Sequence, residues 1–222
     1  MYTMIFSVSP EPGEKWNAGP SFFLEKKCYY FPEQPLQKRM KKMTGTTPQQ
    51  IVIIGNGIAG TTAAFALRDS GFEGTIVMVT DEEYPVYFRT RLPEIISGMI
   101  TPEKLIMTDM AKHQAKKIDL RLKKKVVEID GRAQRLRCAD GESLPYDRLL
   151  LAMGARPNMP RIPGIDGRTN VFALRNIEDG KKIRACAQGK KHAVCIGGGI
   201  LGLEAAHHIM KLGVTTDIIE IA

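Results

Sequence analysis

The hydrophobic pattern begins with an apolar run, a helical repeat and a second apolar run. Residues 51–54 read Ile-Val-Ile-Ile, which is typical of a parallel strand buried on both faces. Residues 58–70 contain four alanines and a leucine that favour a helix, and Gly71 is a natural stop. Residues 75–80 form the second apolar run. This order predicts a β-α-β unit with parallel strands.

The same pattern returns near residue 193. Residues 193–196 are a short apolar run, residues 203–211 fit a helix that Gly213 ends, and residues 214–219 fit another strand. A helix between two strands is the usual crossover of a parallel pair. We therefore expect a second β-α-β unit.

Three shorter strands are predicted between the two units. They cover residues 125–129, 134–138 and 143–146, and the pairs Asp130-Gly131 and Asp140-Gly141 are typical turn signals. Short strands joined by tight turns pair antiparallel. The pattern predicts a small antiparallel meander inserted after the first unit.

A glycine motif of the form G-x-G-x-x-G follows the first strand of each unit. In the first unit Gly55 permits a tight turn, Gly57 leaves room for a pyrophosphate, and Gly60 lets the helix approach the sheet. The backbone N–H groups at the start of the helix, at Ile58 and Ala59, would face the phosphates, where the helix dipole favours an anion.

The second unit carries the motif at Gly197, Gly199 and Gly202, with Leu201 at the start of its helix. A single motif of this kind is a weak signal, because glycine is common. Two motifs, each between a strand and a helix, indicate a pair of dinucleotide-binding sites.

Acidic residues follow the second strand of each unit. Asp81 and Glu82 lie 21 and 22 residues after Gly60, and either could accept hydrogen bonds from an adenosine ribose, so spacing does not choose between them. Glu220 lies 18 residues after Gly202. A carboxylate there can hold both ribose hydroxyls and repels a 2′-phosphate, which favours NADH over NADPH.

With these elements in order, the chain resembles the FAD-dependent pyridine nucleotide–disulfide oxidoreductase superfamily. Within it the chain resembles the rubredoxin and ferredoxin reductases and the flavoprotein part of NADH-dependent nitrite reductases. The resemblance implies an α/β fold with two Rossmann-like dinucleotide-binding units, the second incomplete, and a small antiparallel meander in the first. It also implies FAD at the first motif and NAD(H) at the second, with NADP(H) disfavoured.

Further segments support the resemblance. Residues 84–93 are similar to the segment in which an arginine contacts FAD, and Arg89 matches that arginine. Residues 149–157 are similar to the segment that closes the flavin domain, where Gly154 is kept and methionine replaces a threonine. The resemblance also assigns Val126 to the FAD site. It places Glu204 near the nicotinamide, although glutamate occupies position 94, where many relatives have a lysine.

The cysteines argue against thiol chemistry. Of Cys28, Cys138, Cys186 and Cys195, no two are closer than nine positions, and residues 84–104 contain none. We therefore assign no side chain as catalytic and no residue as a metal ligand. The expected enzyme is an FAD-dependent NAD(P)H:acceptor oxidoreductase in which the cofactors carry the chemistry.

The sequence suggests three regions. Residues 1–49 are rich in proline and are predicted to be disordered or a non-native N-terminal extension. Residues 50–158 form the FAD-binding unit and residues 159–222 an incomplete NAD(P)-binding unit. We expect a chain truncated at the C-terminus. The alternative is a non-catalytic fragment that binds FAD weakly or needs a complementing chain.

The net charge of +8 bears on partners. It fits solvated basic faces and attraction for anionic dinucleotides, or steering of an acidic electron-carrier protein. No recognised module indicates nucleic-acid binding, and no apolar run is long enough to cross a membrane. Unpaired cysteines without an export signal predict a cytoplasmic location.

Overall fold

The computed structural model describes residues 49–160, 162–163, 165 and 167–220. Its main element is a four-stranded parallel sheet in the order β3-β2-β1-β7. The strands are β1 (Gln50–Ile54), β2 (Thr75–Val79), β3 (Ile118–Arg121) and β7 (Arg148–Leu151). The predicted first two strands are therefore observed within one residue. Strands β3 and β7 were not predicted.

The apolar runs form β1 and β2 because both faces of these strands are covered. Helix α1 (Ile58–Asp69) packs Ala64 against one face, together with Ile53 and Met78. Val52 and Val77 face the other side and contact the meander. All five side chains are nearly inaccessible to solvent. The central strands are thus buried on both faces, as their composition predicts.

The meander is the predicted antiparallel sheet, in the order β4-β5-β6. It consists of β4 (Val126–Asp130), β5 (Arg135–Cys138) and β6 (Ser143–Pro145). Gly141 has a φ of +88°, which suits the predicted turn, and the Asp130 carboxylate accepts hydrogen bonds from the backbone N–H groups of Arg132 and Ala133. Leu136, Cys138 and Leu144 cover the parallel sheet.

Short helices that the sequence pattern did not predict connect β2 to β3. A 3-10 turn at Arg89–Arg91 leads into α2 (Pro93–Ser97), which is followed by α3 (Pro102–Leu105) and α4 (Met110–Ala115). Both α2 and α3 begin with proline in the first turn, where a missing N–H costs nothing. Gly98 ends α2 in the left-handed conformation.

The second β-α-β unit follows helix α5 (Ile177–Ala187). Strands β8 (His192–Ile196) and β9 (Thr215–Ile219) pair in parallel, and α6 (Ile200–Met210) connects them. Helix α6 begins three residues before its predicted start, because Gly199 already caps it. Strand β8 is only partly covered, since Cys195 is partly buried and Val194 is 57% exposed.

Helix α2 packs against both α5 and α6. Ile95 and Ile96 form an apolar cluster with Ile177 of α5, and Leu201 and Ala205 of α6 pack against this cluster. Gly180 of α5 allows the close approach, since a Cβ there would lie 3.1 Å from the Ile95 side chain. The helix of the second glycine motif is therefore fixed next to the segment that contains Arg89.

All described residues belong to one compact unit. The boundary at residue 158 stays a prediction, and the predicted extension at residues 1–49 lies outside the described residues except for Gln49. Within the part of the chain that the structure describes, no helix is both long and apolar enough to cross a membrane.

Candidate functional site

Two of the three glycines in the first motif are required by packing. Gly55 has a φ of +104°, and a Cβ there would lie 2.3 Å from the carbonyl oxygen of Ala152 in the segment after β7. A Cβ on Gly60 would lie 2.0 Å from the carbonyl oxygen of Gly55. Because both contacts are with backbone atoms, neither position tolerates a larger residue without a shift of the chain.

Gly57 is required by no contact of this kind. It caps α1 in an extended conformation, and a Cβ there would meet no atom within 4 Å. The first N–H to bond within the helix is that of Thr61, at 3.0 Å from the Gly57 carbonyl oxygen. The N–H groups of Ile58, Ala59 and Gly60 therefore have no acceptor within the helix. This open N-terminus of a 12-residue helix fits a pyrophosphate.

The second motif has the same geometry. Gly197 has a φ of +107°, and a Cβ on Gly202 would lie 2.0 Å from the Gly197 carbonyl oxygen. Gly199 caps α6 and faces open space, as Gly57 does in the first motif. The same hydrogen bond also fixes each turn. The Gly55 N–H donates to the carbonyl oxygen of Val79, and the Gly197 N–H donates to the carbonyl oxygen of Ile219, both at 2.8 Å.

Glu220 is held against the second motif. Its carboxylate accepts a hydrogen bond from the backbone N–H of Gly198, and a Cβ on Gly198 would lie 3.2 Å from the same oxygen. The predicted acid thus lies beside the glycine turn, at the end of β9. From this position the Glu220 carboxylate could contact the ribose of a dinucleotide bound at the helix N-terminus.

The structure separates the two candidate acids of the first unit. Asp81 is exposed, and its carboxylate forms no hydrogen bond or ion pair with any described residue. Glu82 is engaged on both oxygens. Oε2 accepts a 2.6 Å hydrogen bond from the Tyr87 hydroxyl, and Oε1 is paired with Arg89. Of these two acids, only Asp81 has a carboxylate that no described residue engages.

Arg89 lies at the centre of a polar cluster. One terminal nitrogen, Nη1, donates to the Tyr87 hydroxyl at 2.9 Å and to the carbonyl oxygen of Arg175 at 3.0 Å. The other, Nη2, donates to Glu82. The guanidinium also lies over the Tyr87 ring, 4.8 Å from its centre. The predicted cofactor arginine is therefore a well-fixed cation.

Arg175 is a cation of this site that the sequence analysis missed. Its Nε donates to the Ala155 carbonyl oxygen at 2.8 Å, and a Cβ on Gly154 would lie 2.8 Å from its Nη2. Burial and the charge of Arg89 lower the pKa of Arg175, although an arginine stays protonated in proteins. The predicted residue Gly154, with a φ of +68°, thus lies beside a second partly buried positive charge.

The two arginines share a small pocket. Its other side chains are apolar, and the lining consists of Arg89, Leu92, Leu174, Arg175 and Leu201. Leu201 belongs to the second glycine motif, so residues of both predicted units line this pocket. The asparagine and aspartate that cap α5, Asn176 and Asp179, fix the neighbouring backbone.

The remaining predicted residues are less closely grouped. Val126 is partly buried at the start of β4 and packs on the parallel sheet. Glu204 is exposed on α6. Glu94 pairs with Arg91 through two hydrogen bonds, at 2.6 and 2.8 Å, and these bonds lower the pKa of the Glu94 carboxyl. The negative charge of Glu94 is therefore balanced by Arg91.

The described cysteines are not arranged for redox catalysis. Cys138, Cys186 and Cys195 are free thiols. Burial raises the pKa of both Cys138 and Cys195, which disfavours the reactive thiolate. Among the described residues, no group of three histidine, cysteine, aspartate or glutamate side chains is placed to hold a metal ion.

Comparison with known proteins gives related reductases. The chain is 37% identical over 170 residues to the ferredoxin–NAD(+) reductase component of the biphenyl dioxygenase system of Paraburkholderia xenovorans, covering 77% of this chain and 41% of the relative. The solved covalent putidaredoxin reductase–putidaredoxin complex matches with a TM-score of 0.68 and 34% identity, over 77% of this chain and 42% of the solved one.

A second solved structure is NADH:rubredoxin oxidoreductase from Clostridium acetobutylicum. Its TM-score is 0.66 at 29% identity, and the match covers 77% of this chain and 44% of the solved one. The chain thus spans about two fifths of the length of each of these three proteins. The predicted α/β fold is confirmed.

The model of one family, pyridine nucleotide-disulphide oxidoreductase, matches residues 49–222. The predicted cofactors, FAD and NAD(H), are those of this family, and its members are oxidoreductases. The match includes both glycine motifs, the arginine cluster and the meander. The chain belongs to the pyridine nucleotide-disulphide oxidoreductase family.

Proposed function

We propose that this chain provides the FAD- and NADH-binding elements of an NADH:acceptor oxidoreductase. The observation that carries the proposal is the repeated helix N-terminus. Gly57 and Gly199 each cap a helix in extended conformation, and neither has an atom within 4 Å of an added Cβ. Both are open to a diphosphate, and Leu201 of the second motif lines one pocket with Arg89 and Arg175.

In the first site, FAD would be held by charge and by backbone donors. The N–H groups of Ile58 and Ala59, together with Arg89 and Arg175, are suited to its pyrophosphate. Asp81, whose exposed carboxylate has no partner within the described part of the chain, is suited to the adenosine ribose. Gly154 allows close backbone approach. Val126 would line the same site from the meander.

In the second site, NADH would lie across the N-terminus of α6. Gly199 leaves room for its pyrophosphate, and Glu220 is held beside the turn to accept bonds from the ribose hydroxyls. The negative charge of Glu220 would repel the 2′-phosphate of NADPH. Leu201 and Glu204 occupy the first two turns of α6, and we assign both to the nicotinamide side of the site.

The chemistry comes from the cofactors. When bound, the nicotinamide supplies a hydride and the flavin accepts it and passes on electrons. The residues of the chain bind and orient the two dinucleotides and fix their separation. The raised pKa of the Cys138 and Cys195 thiols supports the prediction that neither takes part covalently.

The acceptor we propose is a small electron-carrier protein. The relatives include a ferredoxin–NAD(+) reductase component, an NADH:rubredoxin oxidoreductase and a putidaredoxin reductase solved with putidaredoxin. The net charge of +8 supports an acidic carrier. Three free thiols, at Cys138, Cys186 and Cys195, support the cytoplasm as the location. The second candidate remains a fragment that binds FAD but needs a complementing chain for activity.

The proposal is tested by visible absorption of the purified full chain, with and without added FAD, followed by anaerobic NADH. Bound flavin that loses its visible absorption with NADH supports both sites. Flavin that binds but is not reduced by NADH supports the second candidate. A chain that takes up no added FAD contradicts the proposed function.

A further inference from the structure

We propose that Glu82 is a positioning residue for Arg89, which it holds in place to bind the cofactor, and does not itself bind the ribose. This inference rests on the proposed FAD site. It assigns different tasks to two neighbouring acids that sequence spacing treats as equivalent. Asp81 binds the ligand, and Glu82 fixes the cation beside it.

Glu82 is itself firmly placed. Its backbone N–H bonds to the Thr80 hydroxyl at 3.3 Å, and its carbonyl oxygen accepts from the backbone N–H of Lys123 at 2.9 Å. Its side chain is 20% exposed. A carboxylate fixed through its own backbone can orient a partner, whereas a loosely held one would move with that partner.

Both carboxylate oxygens of Glu82 are already used. One accepts from Tyr87 at 2.6 Å and the other from Arg89. Binding two ribose hydroxyls would require breaking one or both of these bonds in a partly buried place, where an unpaired charge is costly. Asp81 offers the same chemistry without that cost, because it is exposed and pairs with none of the residues that the structure describes.

Tyr87 completes the arrangement. It is 3% exposed, and its hydroxyl donates to Glu82 and accepts from Arg89, so the three side chains form a closed ring of hydrogen bonds. Arg89 uses three N–H groups for Glu82, Tyr87 and the Arg175 carbonyl oxygen. A guanidinium has five, so two are left for an anion.

FAD titration of the full chain, followed by flavin fluorescence, tests this assignment. We expect Glu82→Gln to weaken FAD binding about tenfold, because the amide cannot replace a charge-assisted bond to Arg89. The matched control is Glu83→Gln, which removes the same charge from the next residue, where the glutamate is exposed and pairs with Lys123. We expect it to change affinity by less than about twofold.

The decisive measurement repeats Glu82→Gln in an Arg89→Ala background. If Glu82 acts through Arg89, the second substitution should add less than about twofold. Asp81→Asn should weaken binding by the same factor with or without Arg89. Thermal unfolding of each variant without FAD controls for folding. Tyr87→Phe removes both hydrogen bonds of the hydroxyl but keeps the aromatic side chain and the Glu82–Arg89 ion pair, so it should give a smaller loss than Glu82→Gln.

Two results would overturn the inference while leaving the proposed function intact. One is a loss for Glu82→Gln that is as large without Arg89 as with it, which would mean that Glu82 touches FAD directly. The other is equal affinity of the Glu82→Gln and Glu83→Gln variants. Failure of the unsubstituted chain to bind FAD would overturn the proposed function and this inference together.

Discussion

At the residue scale, the three glycines of one motif answer to different constraints. Gly55 and Gly60 are fixed by contacts with backbone oxygens, at 2.3 and 2.0 Å from an added Cβ. Gly57 faces open space, and its φ of −68° is available to any residue. No contact and no backbone angle in the fold therefore requires glycine at position 57. A ligand at the helix N-terminus would require it, because a side chain there would occupy the ligand's space, so this position tests function directly.

We predict that Gly57→Glu leaves the chain folded but weakens FAD binding by more than about 100-fold. A glutamate side chain would fill the space in front of the helix N-terminus and repel the pyrophosphate. Equilibrium dialysis against FAD measures the loss, and circular dichroism with urea unfolding checks the fold. Retention of one FAD per chain in this variant would contradict the assignment of the first motif.

Gly60→Ala provides the contrasting variant. Its methyl group would overlap the Gly55 carbonyl oxygen, so we expect the free energy of unfolding to fall by about 1–3 kcal/mol. Alanine is otherwise the better helix residue by up to about 1 kcal/mol, so a net loss isolates the contact. Urea unfolding of Gly57→Ala, where no overlap exists, gives the baseline.

Local spacing predicts the glycines but cannot assign the acids. Gly55, Gly57 and Gly60 act within one strand-turn-helix, so their roles follow from adjacent sequence. The choice between Asp81 and Glu82 depends on how residues 84–91 fold back, which brings Arg89 to Glu82. Arg175 is more remote still, since it meets Arg89 across 86 positions. Hydrogen bonds between residues so far apart in the chain produce no periodic pattern in the sequence.

At the element scale, the same division applies to helices and strands. Strands β1, β2, β8 and β9 are predicted because apolar runs and glycine stops mark them. Strand β3 was missed because it is only four residues long and lies among lysines. Helix α5 was missed because Gly180 and adjacent lysines weaken its pattern. Its capping box, from Asn176 to Asp179, was the one local signal available.

We predict that Asn176→Ala lowers the free energy of unfolding by about 1 kcal/mol, as loss of an N-cap usually does. The Asn176 side chain accepts from the Asp179 N–H at 2.8 Å, and Asp179 accepts from the backbone N–H of Arg175 at 2.9 Å. The cap thus also fixes the arginine backbone. Urea unfolding measures the change, and FAD titration should show a weaker complex. If the variant and the parent chain had the same free energy of unfolding within error, this role of Asn176 would be contradicted.

The contact between α2 and α6 should make stability depend on pH. The Ser97 hydroxyl lies 2.7 Å from Nδ1 of His208, which is 8% exposed. Burial, then the charges of Lys211 and His207, lower the pKa of His208 from its ordinary value of 6.5, while Glu94 opposes them. Below about pH 6.5, His208 therefore binds a proton more readily in the unfolded chain than in the folded chain. The free energy of unfolding accordingly decreases as the pH is lowered.

Urea unfolding at pH 7.5 and 5.5 checks this prediction. We expect the parent chain to lose stability between the two pH values and His208→Gln to lose less, since glutamine does not titrate. His192→Gln is the matched control, because His192 is exposed at the start of β8 and is not among the groups that shift the pKa of His208. An equal loss in the parent and in His208→Gln would show that other groups cause the pH dependence.

At the scale of the whole molecule, the two units share a plan but differ in burial. The strands of the first unit lie inside a covered sheet, whereas Val194, Ile218 and Ile219 of the second are 57%, 43% and 54% exposed. The two glycine turns have nearly the same geometry, with φ of +104° at Gly55 and +107° at Gly197, because each is set by its own strand, glycines and helix. This is why both motifs could be predicted from sequence.

Charge acts over the whole molecule, and it should make FAD binding depend on salt. The chain carries a net charge of +8, and FAD brings a pyrophosphate with two negative charges to a site with Arg89 and Arg175. Because salt screens such attraction, we expect the FAD dissociation constant to rise about three- to tenfold between 50 and 500 mM NaCl. Arg89→Met should weaken binding at low salt and flatten the dependence, because one of the two local cations is removed. Affinities that do not change with salt in the parent chain would mean that backbone donors and packing hold FAD, with no measurable contribution from the arginine pair.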